Sequence, residues 1–215
     1  MAGEIPEHWE VRRLKFIAIE PLKYGANEPA ELNDPVLPRF IRITDIKDDG
    51  TLLEDTFRSL PEETAESYLL NSGDLLFARS GATVGKSFMY QAAWGRACYA
   101  GYLIRLRINQ SIAIPEFVSY FANSSNYWTW LSSIFIQATI QNVSAEKYSN
   151  LFVAIPGLNE QRAIVAFLAS ETAKIDILSS KIQNTIEKLK EYRSTLISAA
   201  VTGKIDVREK AGVVA

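Results

Sequence analysis

The sequence predicts a mixed α and β fold, a strand-rich and aromatic-rich head followed by one long α-helix. Three observations carry this reading. Runs that alternate with a period of two, such as Arg39 to Ile46 and CYAGYLIRLRI at 98–108, are separated by glycine, proline and aspartate turns. Short helical stretches lie between them, with no internal repeat. From 159 to 203, Leu168, Ile175, Ile182, Leu189 and Leu196 then fall seven residues apart, with Leu178, Tyr192 and Ala199 at the half-heptad positions.

IPEHWEVRRLKFIAIE reads as an anchoring segment through Pro6, Trp9, Val11 and Leu14, and PLKYGANEPAELNDPVLP, with four prolines in eighteen residues, reads as a loop. Arg39 to Ile46 is a strand closed by the KDDG turn, and Pro61 to Leu70 a short helix with proline suited to its first turn. GDLLFARSGATVGKSFMY gives strand, glycine-rich loop and strand. In CYAGYLIRLRI, Ile104, Leu106 and Ile108 share one strand face, and Arg105 and Arg107 the other. Pro115 to Phe135 reads as two helices broken near 123–126. QATIQNVSAEKYSNLFVAIP closes the head with a polar loop, a turn capped by Ser144 and a last strand. Pro156-Gly157 is the joint, Asn159 the expected cap of the long helix and Gly203 its stop. The division expected is 1–157 for the head, 158–203 for the helix and 204–215 for a tail.

At ~1.5 Å per residue the helix spans roughly 65 Å, too long to bury its seam on itself. A second helix, from another copy or another subunit, is expected to cover it; the alternative is a helix folded back on its own head. Lys181, Lys188 and Lys190 mix with Glu187 and Glu191 as a partner-selecting rim does, while Glu171 and Thr185 are weak points of the seam.

With 215 residues, 47% hydrophobic and 22% charged, the chain has material for one core plus the helical appendage. No apolar run approaches the ~20 residues of a membrane span, and MAGEIPEHWE has no apolar signal region, so a cytoplasmic protein without membrane contact is expected. A single cysteine, Cys98, excludes an internal disulfide framework and a cysteine-built zinc site, and a single histidine, His8, removes most histidine chemistry. Cys98 in its aromatic run reads as a packed thiol.

The net charge of −2 hides a division along the chain. Residues 1–76 hold 8 basic against 16 acidic residues, whereas Phe77 to Pro115 holds Arg79, Lys86, Arg96, Arg105 and Arg107 and no acid. Such a stretch can meet phosphates even where the global field steers DNA weakly.

Catalytic and cofactor chemistry is mostly absent. SGATVGKS at 80–87 imitates a phosphate loop, but three residues separate Gly81 from Gly85 where four are needed, and the segment after Lys86 reads as a strand. Asp34, Asp45 and Lys47 have nuclease-like types at a spacing that a strand end and a turn explain better. No adenine-methyltransferase stacking motif is present, and His8 lies near the end of the chain. No cofactor or metal is therefore expected on this chain. The remaining polar groups suit base and phosphate contact: Arg79, Ser80, Thr83 and Lys86 in the glycine-rich loop, Gln137, Thr139, Gln141 and Asn142 in the polar loop, and Arg42, Arg105 and Arg107 on predicted strands.

IPEHWEVRRLKFIA, GDLLFARSGATVGKS, TIQNVSAEKYSNLFVAIPGLNEQRAIVAFL, ETAKID and LISAAVTGKIDVRE together resemble the DNA specificity subunit of type I restriction-modification systems, over Ile5 to Glu209. The resemblance implies an α+β target recognition domain with a curved, largely antiparallel sheet, followed by a conserved spacer helix. It implies a non-catalytic subunit that binds double-stranded DNA and directs methyltransferase and restriction subunits, which themselves carry S-adenosylmethionine, ATP and magnesium. Full-length members hold two recognition domains and two helices, and this chain holds one of each. Gly157 and Gln137 also depart from the family's usual proline and glycine. A homodimer, or pairing with a second half-subunit, is expected through Leu168, Ile175, Leu178, Ile182, Leu189, Tyr192 and Leu196. The competing class is a coiled-coil adaptor whose β-rich head binds protein.

Overall fold

The computed structural model describes residues 5–47, 50–136 and 142–207. In chain order the elements are β1 (Glu10–Arg13), β2 (Lys23–Tyr24), β3 (Arg39–Ile41), α1 (Glu62–Ala65), β4 (Leu75–Ala78) and β5 (Ser87–Met89). They continue with β6 (Ala97–Tyr99), β7 (Leu103–Leu106), α2 (Pro115–Phe121), α3 (Ser125–Ile136), α4 (Ala145–Ser149), β8 (Phe152–Ile155) and α5 (Leu158–Val201). The fold is α+β. Its main sheet has the order β2-β7-β4-β5 with antiparallel neighbours, β1 pairs antiparallel with β8, and β3 runs parallel to β6.

The centre of the sheet explains the rest. β4 reads LLFA and is buried along its whole length. Leu75 and Phe77 enter one cluster with Leu14, Ile104, Leu106, Tyr127 and Tyr148, whereas Leu76 and Ala78 enter another with Ile41, Tyr99 and Leu103. A strand covered on both faces has no solvent side, so an unbroken apolar run is what it requires. The hairpin to β5 turns through Gly85, whose φ of +86° only glycine adopts freely and whose missing Cβ leaves room for Leu131. The two helices expected over 115–135 form with their break at Ala122–Ser124, and Ser144 caps α4 by accepting from the Lys147 N–H at 3.2 Å.

Three local expectations change. CYAGYLIRLRI is two strands: the chain turns at 100–102, with Leu103 N–H donating to Ala100 O at 2.9 Å and Gly101 N–H to Ala26 O at 2.7 Å. The turn sends β6 to a parallel partner and β7 to the main sheet. The strand expected over Arg39 to Ile46 stops at Ile41, and a 3-10 turn at Ile43–Asp45 replaces its end. Asn159 lies within the first turn of α5, where its Oδ1 accepts from Arg162 at 2.9 Å, and Leu158 is already helical.

The chain divides into two compact units, Met1–Val165 and Ala166–Ala215. In the first, Ile164 and Val165 pack against the larger apolar cluster, and Gln161, fully buried, anchors the start of α5. Its Oε1 accepts from Ile114 N–H at 2.8 Å, and its Nε2 donates to Pro156 O at 2.8 Å and Ile112 O at 3.1 Å. In the second unit α5 runs on as a helix to Val201 and Gly203 closes it at φ +73°. Ile175, Leu178, Ile182, Leu189, Tyr192 and Leu196 are all exposed along it, and Leu168 is half-buried. Ile186 and Ile197, which the heptad count leaves out, are exposed as well. Among the described residues no helix is long and apolar enough to cross a membrane.

Replacing Gln161 by leucine would keep the volume and take the side-chain partner from three buried or part-buried backbone groups. The expected cost is about 3 kcal/mol, at ~1 kcal/mol or more for each group left unpaired. Denaturant unfolding of Gln161→Leu against the parent checks this; an unchanged midpoint would show that those groups find other partners.

Candidate nucleic-acid interface

Arg79 is the first residue beyond β4, and the backbone around it is tied on both sides. Its N–H donates to Tyr102 O at 3.0 Å, its carbonyl accepts from Val143 N–H at 2.9 Å, and Ser80 bridges to Asn142. The glycine-rich loop and the end of the polar loop, 63 residues apart for Arg79 and Asn142, are thereby brought together. The Arg79 guanidinium lies 4.6 Å from the centroid of the Tyr24 ring, and its Nε points to Asn142 Oδ1 at 3.5 Å. Tyr24 is held in turn, because its hydroxyl accepts from the Ala145 N–H at 2.9 Å, at the start of α4. Tyr24 and Tyr102 are both exposed, so the group forms a rim of two aromatics, an arginine and an amide.

Of the residues expected to meet DNA, the structure gathers Arg79, Ser80 and Asn142. Thr83 and Lys86 lie in the same hairpin and are half-buried. Gln137, Thr139 and Gln141 lie outside the described residues. Three of the expected arginines are engaged within the head. Arg105 is 4% exposed, donates to Glu20 Oε1 at 2.8 Å and Leu69 O at 3.0 Å, and stands over the Tyr99 ring. Arg107 meets Asp74 through two bonds of 2.9 and 2.7 Å and also donates to Leu69 O and Glu20. Both faces of β7 are covered; Arg105 is buried, Arg107 just beyond the strand is half-buried, and both guanidinium groups are engaged by acceptors of the head. Arg42 is half-buried in a bidentate pair with Asp45, at 3.0 and 2.7 Å, and donates to Thr56 O. It staples the 3-10 turn. Arg96 pairs with Glu62. The basic stretch of the sequence therefore presents far fewer than five charges.

Tyr24 and Tyr102 were not singled out from sequence. Tyr24 sits in a proline-rich segment that reads as a loop, and nothing in PLKYGANEP says that an arginine 55 positions later will stack on it. The loop SGATVGKS is a hairpin leading to a strand, as its spacing implied. Asp45 is buried against Arg42, which removes it from any metal cluster with Asp34, and among the described residues no group of three or more acidic, histidine or cysteine side chains is placed to hold a metal. Cys98 is fully buried, and burial pushes its thiol up to about 12.

The family model for the type I restriction modification DNA specificity domain matches residues 6–188, well over half the chain, and the chain belongs to that family. It is 26% identical over 213 residues to the StySPI specificity subunit of Salmonella potsdam, covering 94% of this chain and 44% of that protein. To the EcoKI specificity subunit of Escherichia coli K12 it is 25% identical, covering 95% of this chain and 45% of that protein. The fold is shared with a chain from a structure of a type I restriction-modification system, at TM-score 0.72 and 20% identity over 92% of this chain and 47% of that one. It is shared too with the HsdS subunit of Thermoanaerobacter tengcongensis, at TM-score 0.62 and 22% identity over 95% of this chain and 47% of that one. The chain spans about half the length of the relatives it matches.

The ion network makes two predictions. Arg107→Ala leaves the Asp74 carboxylate buried without its partner and should cost about 3 kcal/mol, while Arg79→Ala, at the rim, should stay within about 0.5 kcal/mol. Thermal or denaturant unfolding of the two variants checks the contrast, and equal losses would contradict it. The Glu20 carboxyl is held below its ordinary value, first by the Lys23 hydrogen bond and then by Arg105 and Arg107 against desolvation. A depressed acid contributes stability that is present above its ordinary value of 4.5 and is lost as pH falls through the lower folded value. Unfolding midpoints measured from neutral pH down to about pH 3 should therefore fall less steeply for Glu20→Gln than for the parent.

Proposed function

We propose that this chain is a sequence-specific DNA-recognition subunit of a type I restriction-modification complex. The observation that carries the reading is Arg79, set at an exposed rim by Tyr24 and Asn142 where two loops meet. A guanidinium fixed in orientation beside exposed aromatic and amide groups is equipped to meet phosphates and base edges. Membership of the specificity-domain family supports the same role. Residues 1–157 act as the reading head, 158–203 as the spacer helix and 204–215 as a tail.

The chain acts without catalysis of its own. Methyltransferase subunits clasp it and flip the target adenine with their own S-adenosylmethionine, and a restriction subunit supplies ATP- and magnesium-dependent cleavage in the cytoplasm. The chain pairs with a second copy, or a second half-subunit, through the exposed seam of Ile175, Leu178, Ile182, Leu189, Tyr192 and Leu196. Antiparallel pairing of two copies presents the same residues to both half-sites, so the target is an inverted repeat with a nonspecific gap.

Duplex DNA binding should weaken linearly in log affinity against log salt, by about 0.9 for each phosphate contacted. Titration at several salt concentrations checks this, and salt-independent binding would favour an adaptor whose head binds protein. Light scattering at roughly tens of micromolar should give twice the chain mass, as expected when an apolar seam of this length is covered. A strict monomer, alone and with the methyltransferase, would remove the dimer.

A further inference from the structure

We infer that Arg79 reads the major-groove edge of a guanine, with Tyr24 as its platform and Asn142 as its orienting acceptor. The inference rests on the DNA-recognition role proposed above and adds to it one base and two positioning residues.

A guanidinium has a face and an edge to offer. In Arg79 the guanidinium carbon stands over the Tyr24 ring, 4.6 Å from its centroid, and Nε is turned toward Asn142 Oδ1 at 3.5 Å. These contacts leave the Nη1–Nη2 edge, which meets no protein acceptor among the described residues. The platform is itself fixed. Tyr24 is paired in register with Ile104, and its hydroxyl accepts from Ala145 N–H at 2.9 Å. Asn142 is likewise set against the arginine by the Ser80–Asn142 bridge and by the bond from Val143 N–H to Arg79 O.

The surviving edge is a fork of two parallel donors. Guanine presents two acceptors, O6 and N7, at the matching separation. Adenine places a donor beside its N7, so the same fork would face an amino group. A point charge has no such preference, and holding the fork before binding reduces the side-chain entropy lost on contact. A mobile surface arginine would serve a phosphate as well. A ring beneath the guanidinium and an acceptor beside Nε instead restrict its orientation, which base reading requires.

The test selects duplexes from a random-sequence library with the full chain and the modification subunit of its system, for the parent and four variants. The parent should enrich a motif with a guanine that Arg79→Ala no longer distinguishes, a loss of roughly 5- to 100-fold discrimination at that position with the others kept. Arg79→Lys should retain the salt dependence and lose the guanine. Tyr24→Ala should lose the same guanine, and Tyr24→Phe, which keeps the ring, should retain it. Circular-dichroism melts confirm that each variant is folded. An unchanged motif in Arg79→Ala, with the salt slope lowered by about one, would make Arg79 a phosphate contact and overturn the inference. An unchanged motif in Tyr24→Ala would overturn the platform. A parent that enriches no motif would defeat the DNA-recognition role itself, a separate result.

Discussion

Arg105 is buried inside the head and Arg107 is half-buried beside it, and groups from several parts of the head satisfy them. A guanidinium cannot shed its proton, and burying one costs several kcal/mol unless acceptors meet it in good geometry. The acceptors come from far along the chain: Glu20 before β2, the Leu69 carbonyl after α1 and Asp74 before β4, with the Tyr99 ring of β6 beneath Arg105. Asp74 also takes the Asn71 N–H at 2.8 Å, which secures the turn that leads into β4. The observed order, with β2 and β4 on the two sides of β7, supplies all of these at once.

The rim inherits its rigidity from this centre. Because β2 is held beside β7, Tyr24 stands opposite Ile104. Because β4 is held on the other side, Ala78 stands opposite Leu103 and Arg79 leaves the sheet beside the Tyr102 carbonyl. Tyr127 and Tyr148 back the same loop from below, through bonds to the Gly85 carbonyl at 2.5 Å and the Ala78 carbonyl at 3.3 Å.

The long helix depends on two different kinds of contact. Its first turns are secured by Gln161, a polar side chain bonded to three backbone groups of the head. From Ile175 to Leu196 the apolar side chains of the seam are exposed, and Ile186 and Ile197 widen the stripe they form. Helix propensity alone is marginal for most sequences in water, so the stripe is a demand for a partner written along the helix.

Much of this was legible one segment at a time. The LLFA run, the break between the helices at 122–124, the Ser144 cap and the stop at Gly203 follow from local rules of burial, capping and φ preference, and the structure has them. The seven-residue spacing of the seam pointed to the helix and its exposed stripe without any tertiary information. Other features were decided by residues far apart in the chain. Alternation in CYAGYLIRLRI showed that Arg105 and Arg107 share a face, but period two cannot say whether that face meets water, and here acidic residues 33 and more positions away close it. The same limit hid Tyr24: its stacking on Arg79 exists only because β2 and β4 flank β7. Sequence determined most of the elements, the family resemblance and the apolar seam of the long helix, since their patterns lie along the chain; tertiary structure alone decided which arginines are engaged within the head and which one is left at the rim, since charge pairing depends on neighbours in space.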